Sequence, residues 1–238
     1  MMPRDDSTPR VHLNIAIDGP AGAGKSTIAR RIAAIMDAVY IDTGAMYRAC
    51  ALKALRNGLP MSDEVRIARM MENTSVEFRP HNGLQRVLLD GEDVTDFIRS
   101  PEVTKGSSDI ARSAAVRSRL VILQRAIARE TDVVMDGRDI GSHVLPDARF
   151  KFFLTASDEV RAMRRLQENI VRNDGKGSRA DPPTFDEVLA DIRYRDKQDS
   201  TREISPLTRA EDAIEIDTSE LDIDQVVEIL LAHVQCAG

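Results

Sequence analysis

Gly19-Pro20-Ala21-Gly22-Ala23-Gly24-Lys25-Ser26 matches the pattern G-x-x-x-x-G-K-[ST] of a phosphate-binding loop. The apolar run at residues 13–17 precedes this loop and is typical of a buried parallel strand. Directly after it, apolar residues recur at helical spacing, at Ile28, Ile32 and Ile35. Strand, glycine-rich turn and helix therefore follow one another in the order that the motif requires.

The residue types in this stretch explain how it would bind phosphate. Glycines let backbone N–H groups converge on phosphate oxygens, and the N-terminus of the following helix favours negative charge. We expect Lys25 to contact the β and γ phosphates of a nucleotide, and the Ser26 hydroxyl to bind Mg²⁺. The predicted nucleotide-binding residues are Gly19, Pro20, Ala21, Gly22, Ala23, Gly24, Lys25, Ser26 and Thr27.

Length, charge and composition restrict the class of protein. The 238 residues suit one α/β domain, which we place at 11–238, with 1–10 interpreted as a disordered tail. The formal net charge of −6 argues against a nucleic-acid binder, and no apolar run approaches the ~20 residues of a membrane span. The two cysteines, Cys50 and Cys236, lack metal-like spacing and favour a reduced, cytoplasmic protein.

The later apolar runs continue a βα alternation. We predict four further strands, at residues 39–42, 133–136, 150–154 and 213–217. Amphipathic helices are predicted between them, and the capping box at 184–187 begins one of these helices. The predicted fold is therefore a three-layer α/β P-loop fold with a five-stranded parallel sheet.

Residues 62–104 interrupt this alternation. A short helix around 65–71 is followed by apolar runs at 76–78, 84–89 and 94–98, which predict a small antiparallel hairpin or sheet. The insertion could cover a second substrate, or it could be a structural elaboration.

A second irregular segment, at residues 164–184, is polar and resembles a loop. Five arginines lie in or beside it: Arg161, Arg164, Arg165, Arg172 and Arg179. We interpret this segment as a mobile lid that brings arginines over transferring phosphates. A solvated charged loop is the alternative.

Polar side chains follow two predicted strands at the point where each strand ends. Thr43, Tyr47 and Arg48 come after the strand at 39–42, and Arg138 and Asp139 after the strand at 133–136. The carboxyl ends of parallel strands form the ligand crevice of an open sheet. Alone, Tyr47 and Arg48 could equally be ordinary surface residues.

Helix faces supply further candidates for the same crevice. Ser108 and Arg117 lie off the apolar stripe of their predicted helices. Arg195, Asp199 and Arg202 are spaced i, i+4 and i+7, which places them on one polar face if the helix extends that far.

A P-loop alone does not define the activity. The guanine-reading motif Asn-Lys-x-Asp of GTPases is absent from the sequence, and no apolar strand ends in the Asp-Glu pair that is usual in motor and transporter ATPases. A kinase of a small acceptor explains the insertion, the arginine-rich segment and the charged strand ends together.

Four ordered motifs resemble those of the bacterial cytidylate kinase family over nearly the whole chain after residue 10. They are Gly19-Pro20-Ala21-Gly22-Ala23-Gly24-Lys25-Ser26-Thr27, Asp42-Thr43-Gly44-Ala45-Met46-Tyr47-Arg48, Asp136-Gly137-Arg138-Asp139-Ile140-Gly141 and Arg195-Asp196-x-x-Asp199-x-x-Arg202. Gly91-Glu92-Asp93-Val94-Thr95 in the insertion is also similar to the family. The family commonly has Arg where this chain has Ser200.

The resemblance implies a transfer of phosphate from ATP, with Mg²⁺, to CMP or dCMP. We expect the protein to be a monomer. It implies catalytic roles for Lys25, Arg138 and Arg195. It further implies substrate binding by three groups: Ser108, Arg117 and Asp139 at the cytosine; Arg48 and Arg138 at the acceptor phosphate; and Thr43, Tyr47, Arg195, Asp199 and Arg202 at the sugar and pocket wall.

The expected chemistry agrees with the residues available. The acceptor oxygen of a nucleoside monophosphate is already anionic, so no general base is needed. The four histidines share no spacing, and we assign them no role. Two alternatives stay open: a kinase of another acceptor, such as UMP, shikimate or gluconate, with Asp42 or Asp139 as base for a hydroxyl, and a non-enzymatic nucleotide-binding regulatory module.

Overall fold

A computed structural model describes residues 12–81, 84–174 and 183–236 of the chain. In chain order, the first half contains β1 (Asn14–Asp18), α1 (Lys25–Ile35), β2 (Val39–Asp42), α2 (Thr43–Arg56), α3 (Glu64–Glu72), β3 (Val76–His81), β4 (Leu84–Leu89) and β5 (Glu92–Asp93). The second half contains α4 (Pro101–Ile110), α5 (Ala114–Glu130), β6 (Val133–Asp136), β7 (Phe150–Thr155), α6 (Asp158–Asp174), α7 (Phe185–Thr201), β8 (Ile214–Asp217) and α8 (Ile223–Cys236).

The main sheet has five parallel strands in the order β2-β6-β1-β7-β8, which confirms the predicted fold class. Its register aligns the strand ends that carry the predicted site. Asp136, the last residue of β6, lies opposite both Ile17 in β1 and Asp42 in β2. The loops that follow β1, β2 and β6 therefore emerge at one edge of the sheet.

Alternating side chains of β1 divide the core between two helical layers. Ile15 and Ile17 pack with α1 and α8 on one face, and Ala16 packs with α5 on the other. This alternation is the period of two that a strand imposes on its side chains. The sheet is thus covered on both faces, as the three-layer prediction requires.

The insertion contains α3 and a three-stranded antiparallel sheet, β3-β4-β5. The prediction of a strand at 94–98 is wrong, because β5 ends at Asp93 and the chain then turns. Val94 and Ile98 are fully buried, and the N–H of Ile98 donates to the carbonyl of Val94 at 3.1 Å. Their i, i+4 spacing suits a helical turn better than a strand.

The loop predicted from residue 164 is wrong as far as residue 174, because α6 continues to that point. An apolar contact holds this helix against α7: Ala162 and Leu166 pack with Val188 and Ile192. The capping box predicted at Thr184 does begin α7. Residues 175–182, with Arg179, and the side chain of Arg172 lie outside the described residues.

Among the described helices, none is long and apolar enough to cross a bilayer.

Candidate active site

A cavity of about 1190 Å³ opens at the sheet edge where β1, β2 and β6 end. Most of the predicted site residues line it: Ala21, Gly22, Ala23, Gly24, Lys25, Ser26, Thr27, Thr43, Tyr47, Arg48, Ser108, Arg138, Asp139, Arg195, Asp199 and Arg202. Three do not line it: Gly19, Pro20 and Arg117. The fold therefore brings together predicted site residues from five separate segments of the chain.

The P-loop owes its path to glycines in conformations that other residues rarely adopt. Gly24, with φ of 85°, precedes the first residue of α1, so that the loop opens onto the N-terminus of the helix. Gly19 has φ of 142°, and a Cβ there would lie 2.0 Å from the carbonyl oxygen of Leu154 in β7. Gly19 therefore shapes the loop by close packing, although it does not reach the cavity.

Lys25 is 5% exposed, and its Nζ donates to the carbonyl of Pro20 at 2.6 Å. Burial, and then the nearby charge of Arg138, lowers the pKa of Lys25 to about 7. Asp136 and Asp18 oppose this shift only in part. A bound polyphosphate would supply the negative charge that this ammonium group lacks.

The Ser26 hydroxyl donates to Oδ2 of Asp136 at 2.7 Å, and the Tyr40 hydroxyl donates to Oδ1 at 2.8 Å. Both Ser26 and Asp136 line the cavity. Hydroxyl and carboxylate oxygens suit Mg²⁺, which uses one or two protein ligands beside phosphate and water. Two protein oxygens fit an ion whose other ligands come from phosphate and water. Among the described residues there is no cluster of three or more acidic, His or Cys side chains that could hold a metal.

Asp18 fixes the loop that follows β6. Its two carboxylate oxygens accept the N–H groups of Ile140 and Gly141 at 2.8 and 2.7 Å. These residues begin a short π-helical turn, Ile140–Val144, directly after Asp139. Asp18 thus positions the segment that carries Arg138 and Asp139 without lining the cavity itself.

Burial, opposed in part by these two hydrogen bonds, raises the pKa of Asp18 from 3.8 to about 6. We expect a ¹³C NMR titration of the side-chain carboxyl to give this value. The folded protein then keeps a proton that the unfolded chain releases, so this group lowers the free energy of unfolding as the pH rises from 3.8 to about 6, by about 3 kcal/mol. Asp18→Asn should remove the titration, and a measured pKa at or below 3.8 would contradict the expectation.

The N-terminus of α2 forms a second wall of the cavity. Asp42 caps this helix by accepting the N–H of Ala45 at 2.8 Å, and it pairs with Arg48 at 2.9 Å. Thr43 donates to the carbonyl of Asp136 at 2.7 Å and so joins α2 to the end of β6. Burial alone would raise the pKa of Asp42, but Arg48 and Arg99 hold it below its ordinary value.

Two buried guanidinium groups hold Asp139. Arg117 donates to Oδ2 through a short contact, and Arg202 donates to Oδ1 at 3.0 Å. Arg117 is 2% exposed and lies 5.8 Å from the ring centroid of Tyr47. Within the described structure, its Nε and Nη1 are buried without a hydrogen-bond partner. Direct contact between Arg117 and a base stays a prediction.

Arg138, in the loop after β6, and Arg195, on α7, add positive charge to the cavity. Nε of Arg138 donates to Oδ2 of Asp199 at 2.6 Å. Burial, and then the charges of Arg138 and Arg165, lowers the pKa of Arg195 to about 10, so the group stays protonated at neutral pH. This crowding of cations is what an anionic ligand would relieve.

Sequence reasoning missed two polar residues of this site. Asp136 is the first of them, although an apolar strand that ends in Asp, beside the strand that leads into a P-loop, is a recognisable signal. Arg99 lines the cavity beside Arg48, and burial lowers its pKa. No local pattern identifies Arg99, because it lies in the turn after β5. Ser200, where the family commonly has Arg, is exposed and does not line the cavity.

The parallel sheet, the P-loop after β1 and the arginine-lined cavity define a P-loop kinase. The chain belongs to the cytidylate kinase family, whose model matches residues 15–236. Cytidylate kinase from Pediococcus pentosaceus is 49% identical over 224 residues, which covers 94% of this chain and 96% of the relative. Cytidylate kinase from Exiguobacterium sibiricum is 51% identical over 218 residues, covering 90% and 93%.

Solved structures give a more distant likeness. Shikimate kinase from Bacteroides thetaiotaomicron matches with a TM-score of 0.48 and 15% sequence identity, over 94% of this chain and 98% of that chain. At that distance the likeness says nothing about the substrate.

Proposed function

We propose that this protein transfers the γ-phosphate of ATP to CMP and dCMP, giving CDP and dCDP. One observation carries the proposal: the P-loop lysine and the arginines of the β6 loop and α7 face a single cavity. The charge of Arg138 lowers the pKa of Lys25, so the two groups lie within electrostatic reach of one another. Donor and acceptor phosphates bound to them would be neighbours.

The donor side is the P-loop and the N-terminus of α1. Backbone N–H groups of residues 22–27 and the ammonium of Lys25 would hold the β and γ phosphates. Ser26 and Asp136 would hold Mg²⁺, which supplies charge neutralisation of the transferring phosphoryl group when bound. Lys25 and Arg138 would stabilise the remaining negative charge as transfer proceeds.

The acceptor side is the region between α2, α4 and the β6 loop. Arg48 and Arg138 would hold the phosphate of CMP, with Thr43, Tyr47, Arg195, Asp199 and Arg202 at the sugar and pocket wall, and Ser108, Arg117 and Asp139 at the cytosine. Cytosine presents an N4–H₂ donor, which suits the Asp139 carboxylate, whereas uracil presents an acceptor at that position.

Ion pairing of the cavity's carboxylates disfavours a hydroxyl acceptor. Asp42 pairs with Arg48, Asp139 with Arg117 and Arg202, and Asp199 with Arg138. Burial alone would raise the pKa values of Asp42 and Asp199. The charges of neighbouring arginines nevertheless hold both pKa values below that of an ordinary aspartate. Such carboxylates are weak bases, but an anionic phosphate acceptor needs none.

Two segments would complete the site around bound nucleotides. The insertion at 62–104 would act as the cover of the CMP side, and residues 164–184 would act as a lid over the phosphates. The two free cysteines, of which Cys50 is buried and Cys236 exposed, support a reducing compartment such as the cytoplasm.

A coupled assay of ADP release tests this proposal directly. We expect rapid ADP formation with CMP and dCMP, slower formation with UMP, and background rates with AMP and shikimate. Equal or faster turnover of shikimate would favour the hydroxyl-acceptor alternative. ATP binding without turnover of any acceptor would favour a regulatory module.

Asp199→Asn should lower the preference for CMP over dCMP by about tenfold, if the carboxylate accepts the 2′-hydroxyl of the ribose. The ratio of kcat/KM for the two substrates measures this effect, and loss of the Arg138 contact affects both substrates alike. Asp186→Asn is the matched control, because Asp186 is an exposed carboxylate on the same helix that does not line the cavity. Equal losses for CMP and dCMP would remove Asp199 from the 2′-hydroxyl contact.

A further inference from the structure

The P-loop is held from outside the cavity by two charged side chains of α6 and α7. Arg161, which is 3% exposed, donates through Nη1 to the carbonyl of Ala21 at 2.9 Å. The same Nη1 donates to Oδ2 of Asp196 at 2.6 Å, and Oδ1 of Asp196 accepts the N–H of Ala21 at 3.4 Å. Both backbone polar groups of Ala21 are therefore bound by this one ion pair.

Backbone packing at the next residue strengthens the contact. Gly22 has φ of 80°, and a Cβ there would lie 3.0 Å from both Cβ and the carbonyl oxygen of Arg161. α6 thus approaches the P-loop closely enough to exclude a side chain. Arg161 is itself fixed by Nε, which donates to the carbonyl of Ala156 at 3.0 Å, and by a short contact with Asp158.

Neither Arg161 nor Asp196 lines the cavity, so neither side chain is placed to touch a nucleotide. Yet Ala21 and Gly22 do line it. The ion pair therefore contacts the nucleotide site through the backbone of the P-loop, whose N–H groups must point at the phosphate oxygens.

α7 joins this contact to the acceptor side. Asp196 contacts the P-loop, while Arg195 and Asp199 on the same helix line the cavity, and Asp199 binds Arg138. A shift of α7 would move all of these groups together. The helix therefore contacts both nucleotide sites.

We propose that Asp196 and Arg161 are positioning residues, which fix the P-loop in its phosphate-binding form and make that form depend on the position of α7. The proposal rests on the ATP site described above. It predicts that loss of the Asp196 carboxylate weakens ATP binding selectively, while CMP binding in the absence of ATP is kept.

Asp196→Ala tests the proposal against a matched control, Glu159→Ala. Each variant removes a carboxylate that joins α6 to α7, since Asp196 pairs with Arg161 and Glu159 pairs with Arg193, but only Asp196 contacts the P-loop. By isothermal titration calorimetry, Asp196→Ala should weaken ATP affinity about tenfold, with CMP affinity changed less than about twofold. Glu159→Ala should leave both affinities within about twofold of the original values, because its ion pair with Arg193 is exposed.

A conservative variant separates positioning from general destabilisation. Asp196→Glu keeps the carboxylate and should recover most of the ATP affinity. If the variants instead lost ATP affinity because they were less stable, their ATP affinities would fall in proportion to their melting temperatures. Equal ATP affinities for Asp196→Ala and Glu159→Ala would overturn the proposal, as would parallel losses of ATP and CMP affinity. Because ATP binding is measured without an acceptor, these outcomes are distinct from a failure of CMP phosphorylation in the unmodified protein.

Discussion

Lys25→Ala should lower kcat/KM for CMP phosphorylation by about 10³-fold. The ammonium of Lys25 lies within the P-loop, on the carbonyl of Pro20, and alanine leaves no charge at that point. Burial makes the charged form of Lys25 costly, and together with the charge of Arg138 it lowers the pKa of Lys25 to about 7. We therefore expect the variant to stay folded at pH 7, so that the lost activity reflects the missing charge.

Steady-state kinetics and a thermal melt on the same samples check this result. Lys197→Ala is the control, because Lys197 is an exposed lysine on α7 that does not line the cavity, and it should keep its activity. Near-normal turnover by Lys25→Ala would show that the P-loop does not hold the transferring phosphate.

Local patterns account for what the sequence predicts well. The P-loop, the five parallel strands and the α7 capping box each depend on residues close together in the chain, so spacing and residue type suffice. The prediction of a strand at 94–98 was wrong for a related reason. A short apolar run does not reveal whether its residues alternate across a sheet or share one face of a helical turn.

Contacts between distant residues could not be predicted in the same way. The positions of Arg117 and Asp139 in the sequence predict that both lie near the crevice. They do not predict that Arg117 is buried against the carboxylate of Asp139. Likewise, nothing local to Asp196 indicates that it binds the backbone of Ala21, 175 positions away. Such pairings arise from packing of helices on the sheet, which periodicity alone does not specify.

Asp139 joins the binding of the base to the stability of the site. It is 4% exposed and lines the cavity, and one guanidinium group donates to each of its oxygens. A carboxylate has about four lone-pair sites, so these two contacts leave acceptor capacity for the N4–H₂ of cytosine. Asparagine would keep the shape but place an NH₂ donor where one oxygen was.

Asp139→Asn should therefore have two effects. Two buried guanidinium groups lose their counter-charge, which should lower the free energy of unfolding by about 3–5 kcal/mol. The preference for CMP over UMP should fall by about 1–3 kcal/mol, or roughly 5- to 150-fold, because the new NH₂ group can donate to O4 of uracil. Denaturant unfolding measures the first effect, and the ratio of kcat/KM for the two nucleotides measures the second.

The substrate ratio stays informative even if the variant is partly unfolded, since both nucleotides are turned over by the same folded fraction. Asp109→Asn makes the same chemical change on α4, at a residue that does not line the cavity, and should leave the ratio unchanged. If Asp139→Asn loses stability but keeps the original CMP to UMP ratio, Asp139 serves as the counter-ion of Arg117 and Arg202, and another group must read the base.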